Sequence, residues 1–199
     1  MIKTIIFDFD GVIHDTFELG FNINKQIYSN YTEEDFRRAF NGNIHENIQM
    51  SSKIDGNKFF EMQEIEFEKL IIEDEIKNEL LKLRKKHDLF IISSNKESTI
   101  KKYLNRNDLK EIFVEVLGFE THTSKTEKFK ILFDKYGVNI KNSIFVTDTL
   151  GDLIEANKVG IKSIAVDFGF HEVENLKKGN PIAIISSFSE IAKFVDTKS

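Results

Sequence analysis

Cysteine is absent from the 199-residue chain, which excludes disulfides and thiolate metal sites. Tryptophan is absent too. A single proline, Pro181, leaves element boundaries to be read from hydrophobic periodicity. No apolar run approaches the roughly 20 residues needed to span a bilayer, so a membrane is not an expected partner. No long basic run occurs and the formal net charge is -5, which disfavours nucleic acid. The lysine-rich stretch Lys82–Lys86 lies on an amphipathic pattern and reads as a solvated helix face. The first apolar run is short and is closed by Asp8, a poor signal peptide, and a cytoplasmic location is the default expectation. There is no internal repeat and no low-complexity tract.

What is present fits a soluble globular protein: 40% of residues are hydrophobic and 31% charged. The length allows one medium domain, or a core with a small accessory domain. Nineteen phenylalanines point to an aromatic-rich core.

The periodicity changes along the chain. Thr4-Ile5-Ile6-Phe7 reads as a first strand. Residues 17–72 then look wholly helical, carried by Phe17, Phe21, Ile23 and Ile27, then Phe36 and Phe40, then Phe59, Met62, Ile65 and Leu70. Thr32 followed by Glu33, Glu34 and Asp35 reads as a helix start, and Asn41-Gly42-Asn43 as a stop. From Glu73 onward helices and strands alternate. The strands are expected at Leu89–Ile92, Ile112–Leu117, Ile144–Val146, Ile161–Val166 and Ile182–Ile185. Gly137 suits a helix end, and Ser187 with Glu190 forms a capping-box pattern before a last helix. Alternation of this kind predicts an α/β fold, a doubly wound parallel sheet covered on both faces. The expected core domain is 1–16 with 73–199. The expected insert is a small all-α cap, 17–72, entering after the first strand.

Chemistry concentrates where the strands end. Asp8 and Asp10 are two residues apart in extended chain, so both carboxylates face one small volume, and Gly11 lets the backbone turn. Crowding two anions is costly unless a cation or a proton intervenes. In open parallel sheets, ligands bind beyond the carboxyl ends of the strands. The same rim is expected to hold Ser93-Ser94-Asn95, Thr147-Asp148-Thr149 with Asp152, and Lys125 at a helix start. This set supplies what phosphoryl transfer through an aspartyl-phosphate needs: a nucleophile, a proton donor, phosphate ligands and a hard cation.

Asp8-Phe9-Asp10-Gly11-Val12 with Asp15-Thr16, then Ser94-Asn95-Lys96, then Lys125, then Asp148 with Asp152 resemble, in order, the four motifs of the haloacid dehalogenase superfamily. The chain is similar over its full length to the magnesium-dependent phosphatases of that superfamily with a helical cap after the first motif. Phe168-Gly169-Phe170-His171 resembles the loop after the fifth strand in phosphoglycolate-phosphatase-like members.

The resemblance implies a role for each residue. Asp8 is the nucleophile, and Asp10 the general acid and then base, with its backbone carbonyl facing Mg2+. Ser94, with Asn95 and the Gly11 turn, holds phosphoryl oxygens; Ser93 is the competing choice. Lys125 neutralises charge shared by Asp8 and phosphate, with Lys128 as its rival. Asp8, Asp10 and Asp148 hold the metal, and Asp152 acts through water or orients its neighbours. Two departures stand out: Thr126 where the family often has proline, and Thr147 where it commonly has glycine. His14 and His171 read as loop or surface histidines without a role.

A hinged cap would keep bulk water out, with hinges near Asp15-Thr16 and Ile72-Glu73. The loop Asn41–Glu46 brings Asn43 or His45 toward substrate, or is a plain helix connection. The expected substrate is a small phosphorylated metabolite and the expected state a monomer or homodimer. Alternatives are a phosphomutase or phosphotransferase on the same site, or a non-catalytic phosphate-binding switch.

Overall fold

The structure, a computed structural model, describes residues 2–46 and 56–197. Residues 47–55, part of the expected helical insert, lie outside the described residues.

Six strands form one parallel sheet: β1 (Thr4–Phe7), β2 (Asp88–Ile92), β3 (Glu115–Leu117), β4 (Ser143–Thr147), β5 (Lys162–Val166) and β6 (Ala183–Ile185). Their spatial order is β3-β2-β1-β4-β5-β6, so the winding direction reverses between β1 and β4. β1 is central, with Phe7 opposite Ile91 on one side and Val146 on the other.

The strands are apolar without alternation because both faces are covered. One face carries Ile5, Phe7, Leu89, Ile91, Ile144 and Val146. Against it pack α4 (Asp74–Arg84) through Leu80 and Leu83, α5 (Glu97–Arg106) through Ile100 and Tyr103, and α9 (Glu190–Thr197) through Ile191 and Val195. The other face carries Ile6, Phe90, Ile92 and Phe145 under Phe129 and Leu132 of α6 (Lys125–Tyr136) and Ala156 of α7 (Leu150–Val159). The short α8 (Val173–Leu176) adds Leu176 against Leu153 and Ala165.

β3 is shorter than its apolar run. Ile112 and Phe113 are buried, yet they precede the ladder, packing through side chains alone. Helices α6 and α7 each stop at a left-handed glycine, Gly137 and Gly160.

The insert between β1 and α4 includes α1 (Phe17–Ile27), α2 (Glu33–Ala39) and α3 (Gly56–Phe67). Thr32 and Asp35 form a reciprocal capping box at the start of α2. Phe17 and Phe36 pack with Phe170, which comes from the loop after β5. The α2 end is tied to the sheet end of the molecule: Gly151 N–H donates to the Phe40 carbonyl (2.9 Å), and His171 Nε2 lies 2.9 Å from the Arg37 carbonyl. Among the described residues no helix is long and apolar enough to cross a membrane.

Candidate active site

Parallel neighbours β2, β1 and β4 end level with one another, and the residue after each strand points into a common rim. Asp8, Ser93 and Asp148 are those residues, and all three are buried. Lys125 opens α6 directly over them. Its Nζ lies 2.8 Å from Asp8 Oδ2 and 2.6 Å from Asp152 Oδ2, with only 2% of the lysine exposed. Burial alone would lower the pKa of Lys125, but Asp152 and Asp8 outweigh it and hold the ammonium charged. Burial raises Asp152 as well; there Lys125 wins and keeps it ionised.

Asp8 and Asp148 go the other way. Burial pushes Asp8 well above the carboxylate range against the pull of Lys125, and Asp152 and Asp148 add repulsion. Burial also lifts Asp148 to about 8, although the Phe170 N–H donates to its Oδ2 at 2.7 Å. Two buried acids are thus short of positive charge even beside a lysine.

Asp10 is half-buried. Its carboxylate accepts from Thr16 Oγ1 at 2.7 Å, and Ser93 Oγ and Asn95 Nδ2 stand 3.4 and 3.5 Å away. Burial raises its pKa, and these donors moderate the rise. A carboxyl that burial makes a weaker acid, at the mouth of a cleft, is suited to holding and giving a proton.

The turn after β1 is shaped by Gly11, at φ +72°. A Cβ there would overlap the Asp148 carboxylate, as would one on Gly169. These two glycines let backbone close around Asp148 from both sides. Asp148 Oδ1 is buried with no hydrogen-bond partner. An orphaned carboxylate oxygen beside Asp8, a buried acid short of positive charge, fits a hard cation. Among the described residues no three His, Cys, Asp or Glu side chains group as a metal cluster. A main-chain oxygen beside these carboxylates is the role the resemblance assigns to Asp10.

The expected phosphate ligands separate in space. Ser93 is fully buried and bonded to Asp10 and to the Asn95 N–H (3.0 Å). Ser94 is half-buried and lines the cleft together with Asp8, Asp10 and Lys125. Lys128 is fully buried, donates to the Ser93 carbonyl and is pushed down to about 7, by burial first and then by Lys125. It braces the end of β2, while Lys125 contacts the acids.

Several neighbours of the rim have uses that sequence reasoning did not assign. Thr147, a departure from the family pattern, does not crowd the rim; its hydroxyl donates to Asp152 Oδ2 at 2.6 Å. Thr126 likewise has a use, its N–H reaching Glu155 Oε1 at 3.3 Å. Buried Glu155 also accepts from Ser124 Oγ at 2.6 Å and faces Asn43 Nδ2 at 3.3 Å. His171, expected as a loop or surface histidine, lies in the loop after β5 but is buried, 3% exposed, and its Nδ1 accepts from the Leu150 N–H at 2.9 Å. A histidine directly after Phe-Gly-Phe was the only sequence signal for that. His14 pairs with Tyr103 Oη at 3.0 Å. Of the loop residues, Asn43 faces Glu155, and His45 lines the large cavity beside Asp10.

A family model described as haloacid dehalogenase-like hydrolase matches residues 5–166, a span that contains Asp8, Asp10, Ser94, Lys125, Asp148 and Asp152. The chain belongs to that family. Its curated relatives include the phosphoglycolate phosphatase of Vibrio parahaemolyticus, 22% identical over 108 residues, 53% of this chain and 47% of that protein. The phosphoglycolate phosphatase of Aliivibrio fischeri is 25% identical over 118 residues, 57% and 52% of the two. The chain spans about half the length of these relatives. Among solved structures, a hydrolase from Pseudomonas syringae superposes with a TM-score of 0.83 at 14% identity, covering 98% of both chains. CbbY from Rhodobacter sphaeroides, solved with phosphate, superposes at 0.78 with 15% identity over 96% of both chains. At these identities the likeness establishes the fold, a haloacid dehalogenase-like core.

Proposed function

We propose that this haloacid dehalogenase-like protein is a magnesium-dependent phosphatase acting on a small phosphorylated metabolite through an aspartyl-phosphate on Asp8. The observation that carries the reading is Lys125 bridging Asp8 and Asp152 while Asp10 stands at the cleft with its own hydrogen-bond set. A phosphatase needs that division of labour between two nearby acids.

Mg2+ would be held by the side chains of Asp8 and Asp148 and the main-chain carbonyl of Asp10. When bound it supplies positive charge to the clustered acids and to the phosphoryl oxygens. An Asp8 oxygen attacks phosphorus; the bond from phosphorus to the leaving oxygen breaks, and Asp10 gives that oxygen a proton. Asp10, now a base, takes a proton from water. The water oxygen attacks phosphorus, the bond to Asp8 breaks, and phosphate leaves. Lys125 neutralises charge shared between Asp8 and the phosphoryl group throughout. Ser94 and backbone N–H groups around Asn95 position phosphoryl oxygens. Helices α1–α3 form the lid that limits water during the first attack.

The test is phosphate release from a panel of phosphomonoesters with and without Mg2+. Release should require the ion and vanish in Asp8→Asn. A folded protein inactive on the whole panel, or an Asp8→Asn variant with undiminished turnover, contradicts the reading.

A further inference from the structure

Asp10 stands between two spaces. One, about 30 Å³, is the polar recess of Asp8, Lys125 and Asp152. The other, about 360 Å³, shares Asp10, Ser94 and Phe170 with the first and extends beneath the helical insert. Its size is in the range of small-molecule sites.

The larger space is aromatic, walled by Phe36, Phe40, Phe60, Phe119 and Tyr31. Among the described residues lining it there is no lysine or arginine. The two cations that touch its walls are each held by a partner: Arg37 donates to the Phe170 carbonyl and Glu33, and Lys96 lies over the Phe60 ring. His45 adds no charge at neutral pH, because burial, then Lys128, pushes it down to about 4. Two amides reach the cavity. Asn24 already donates to the Gly20 carbonyl at 2.8 Å. Gln63 is 5% exposed, and its side-chain oxygen has no hydrogen-bond partner.

Resting on the phosphatase reading, we propose that this cavity takes the leaving alcohol of the substrate. That alcohol is uncharged, largely apolar and ring-bearing, with one neutral hydrogen-bond donor for the Gln63 oxygen. Aromatic walls gain from covering apolar surface and from ring stacking. An anionic leaving group would shed its hydration, meet no lysine or arginine among the described lining residues, and lie beside the Asp10 carboxyl. A two-carbon hydroxy acid would also leave most of the cavity unfilled. The chemistry of the step is unchanged: the bond from phosphorus to this alcohol breaks, the bond to Asp8 forms, and the Asp10 proton goes to the alcohol oxygen.

The test compares wild-type kcat/KM, with Mg2+, for benzyl phosphate, 4-carboxybenzyl phosphate and phosphoglycolate. The first two share a ring and a similar leaving oxygen and differ in charge. Benzyl phosphate should exceed both acids by at least about tenfold. Equal or better turnover of either acid overturns this proposal and leaves the phosphatase reading standing. No phosphate from any of the three, nor from the wider panel, overturns the phosphatase reading and this one with it. Phe119→Arg places a cation in the wall and should shrink the benzyl preference severalfold. An unchanged ratio, in a variant that still releases phosphate, overturns the assignment of this cavity.

Discussion

Lys125 and Lys128 are one helical turn apart and both buried, yet their surroundings give them opposite character. Lys125 has two carboxylates within 2.8 Å and stays charged. Lys128 has a main-chain carbonyl and a like-charged neighbour, and it titrates near 7. On the proposed mechanism only the first meets phosphate. Lys125→Ala should cut kcat by about 10²–10³-fold, the usual effect of losing one preorganised electrostatic contact. Lys128→Met should mainly reduce stability, since it removes a brace from the end of β2. Steady-state kinetics beside thermal denaturation separates the two. A Lys125→Ala variant with near-wild-type kcat would remove the lysine from the mechanism. The glycines around Asp148 act at the same scale: Gly11 and Gly169 are small because any Cβ would overlap the carboxylate.

Lys125, on the proposed mechanism a phosphate contact, is placed by an element whose own core contacts fix it. Helix α6 presents Lys125 because Phe129 and Leu132, one and two turns on, are fully buried against the sheet. Phe129 stacks edge-on to Phe145 of β4, with ring centroids 5.0 Å apart. Phe129→Ala should cost about 3–5 kcal/mol through the lost transfer energy and the cavity left behind. Urea denaturation would read this as a lower midpoint at unchanged slope; a loss below about 1 kcal/mol would mean the helix is held by other contacts. Elements of this kind were legible in the sequence because long apolar runs and a 3.6-residue period are set by burial. β3 was overextended because Ile112 and Phe113 look like strand residues: burial, which the pattern reports, does not require ladder pairing. The uses of Thr147, Thr126 and His171 were not legible, because each bonds a residue or backbone group from a different turn, a geometry that only the closed fold creates.

At the scale of the whole molecule, the parallel sheet brings into one rim acids separated by some 140 positions in the chain. Asp8 and Asp148 follow adjacent strands β1 and β4, whose register sets them side by side. That convergence was readable in advance, since three polar clusters each fell at the end of an apolar run and Lys125 fell at a helix start. What the cavity beneath α1–α3 would accept was not, because its walls come from α1, α2, α3 and from loops scattered along the chain, including those that hold Asp10, Ser94, Phe119 and Phe170. The central claim is that Asp8 takes the phosphoryl group, and mass spectrometry of acid-quenched enzyme tests it most directly. Protein mixed with a turned-over phosphomonoester and Mg2+, then quenched, should carry one phosphoryl group on the Asp8 peptide. Hydroxylamine should remove it, and Asp8→Asn should never acquire it. Continued phosphate release with no adduct on Asp8, and with Asp8→Asn still active, would contradict the account.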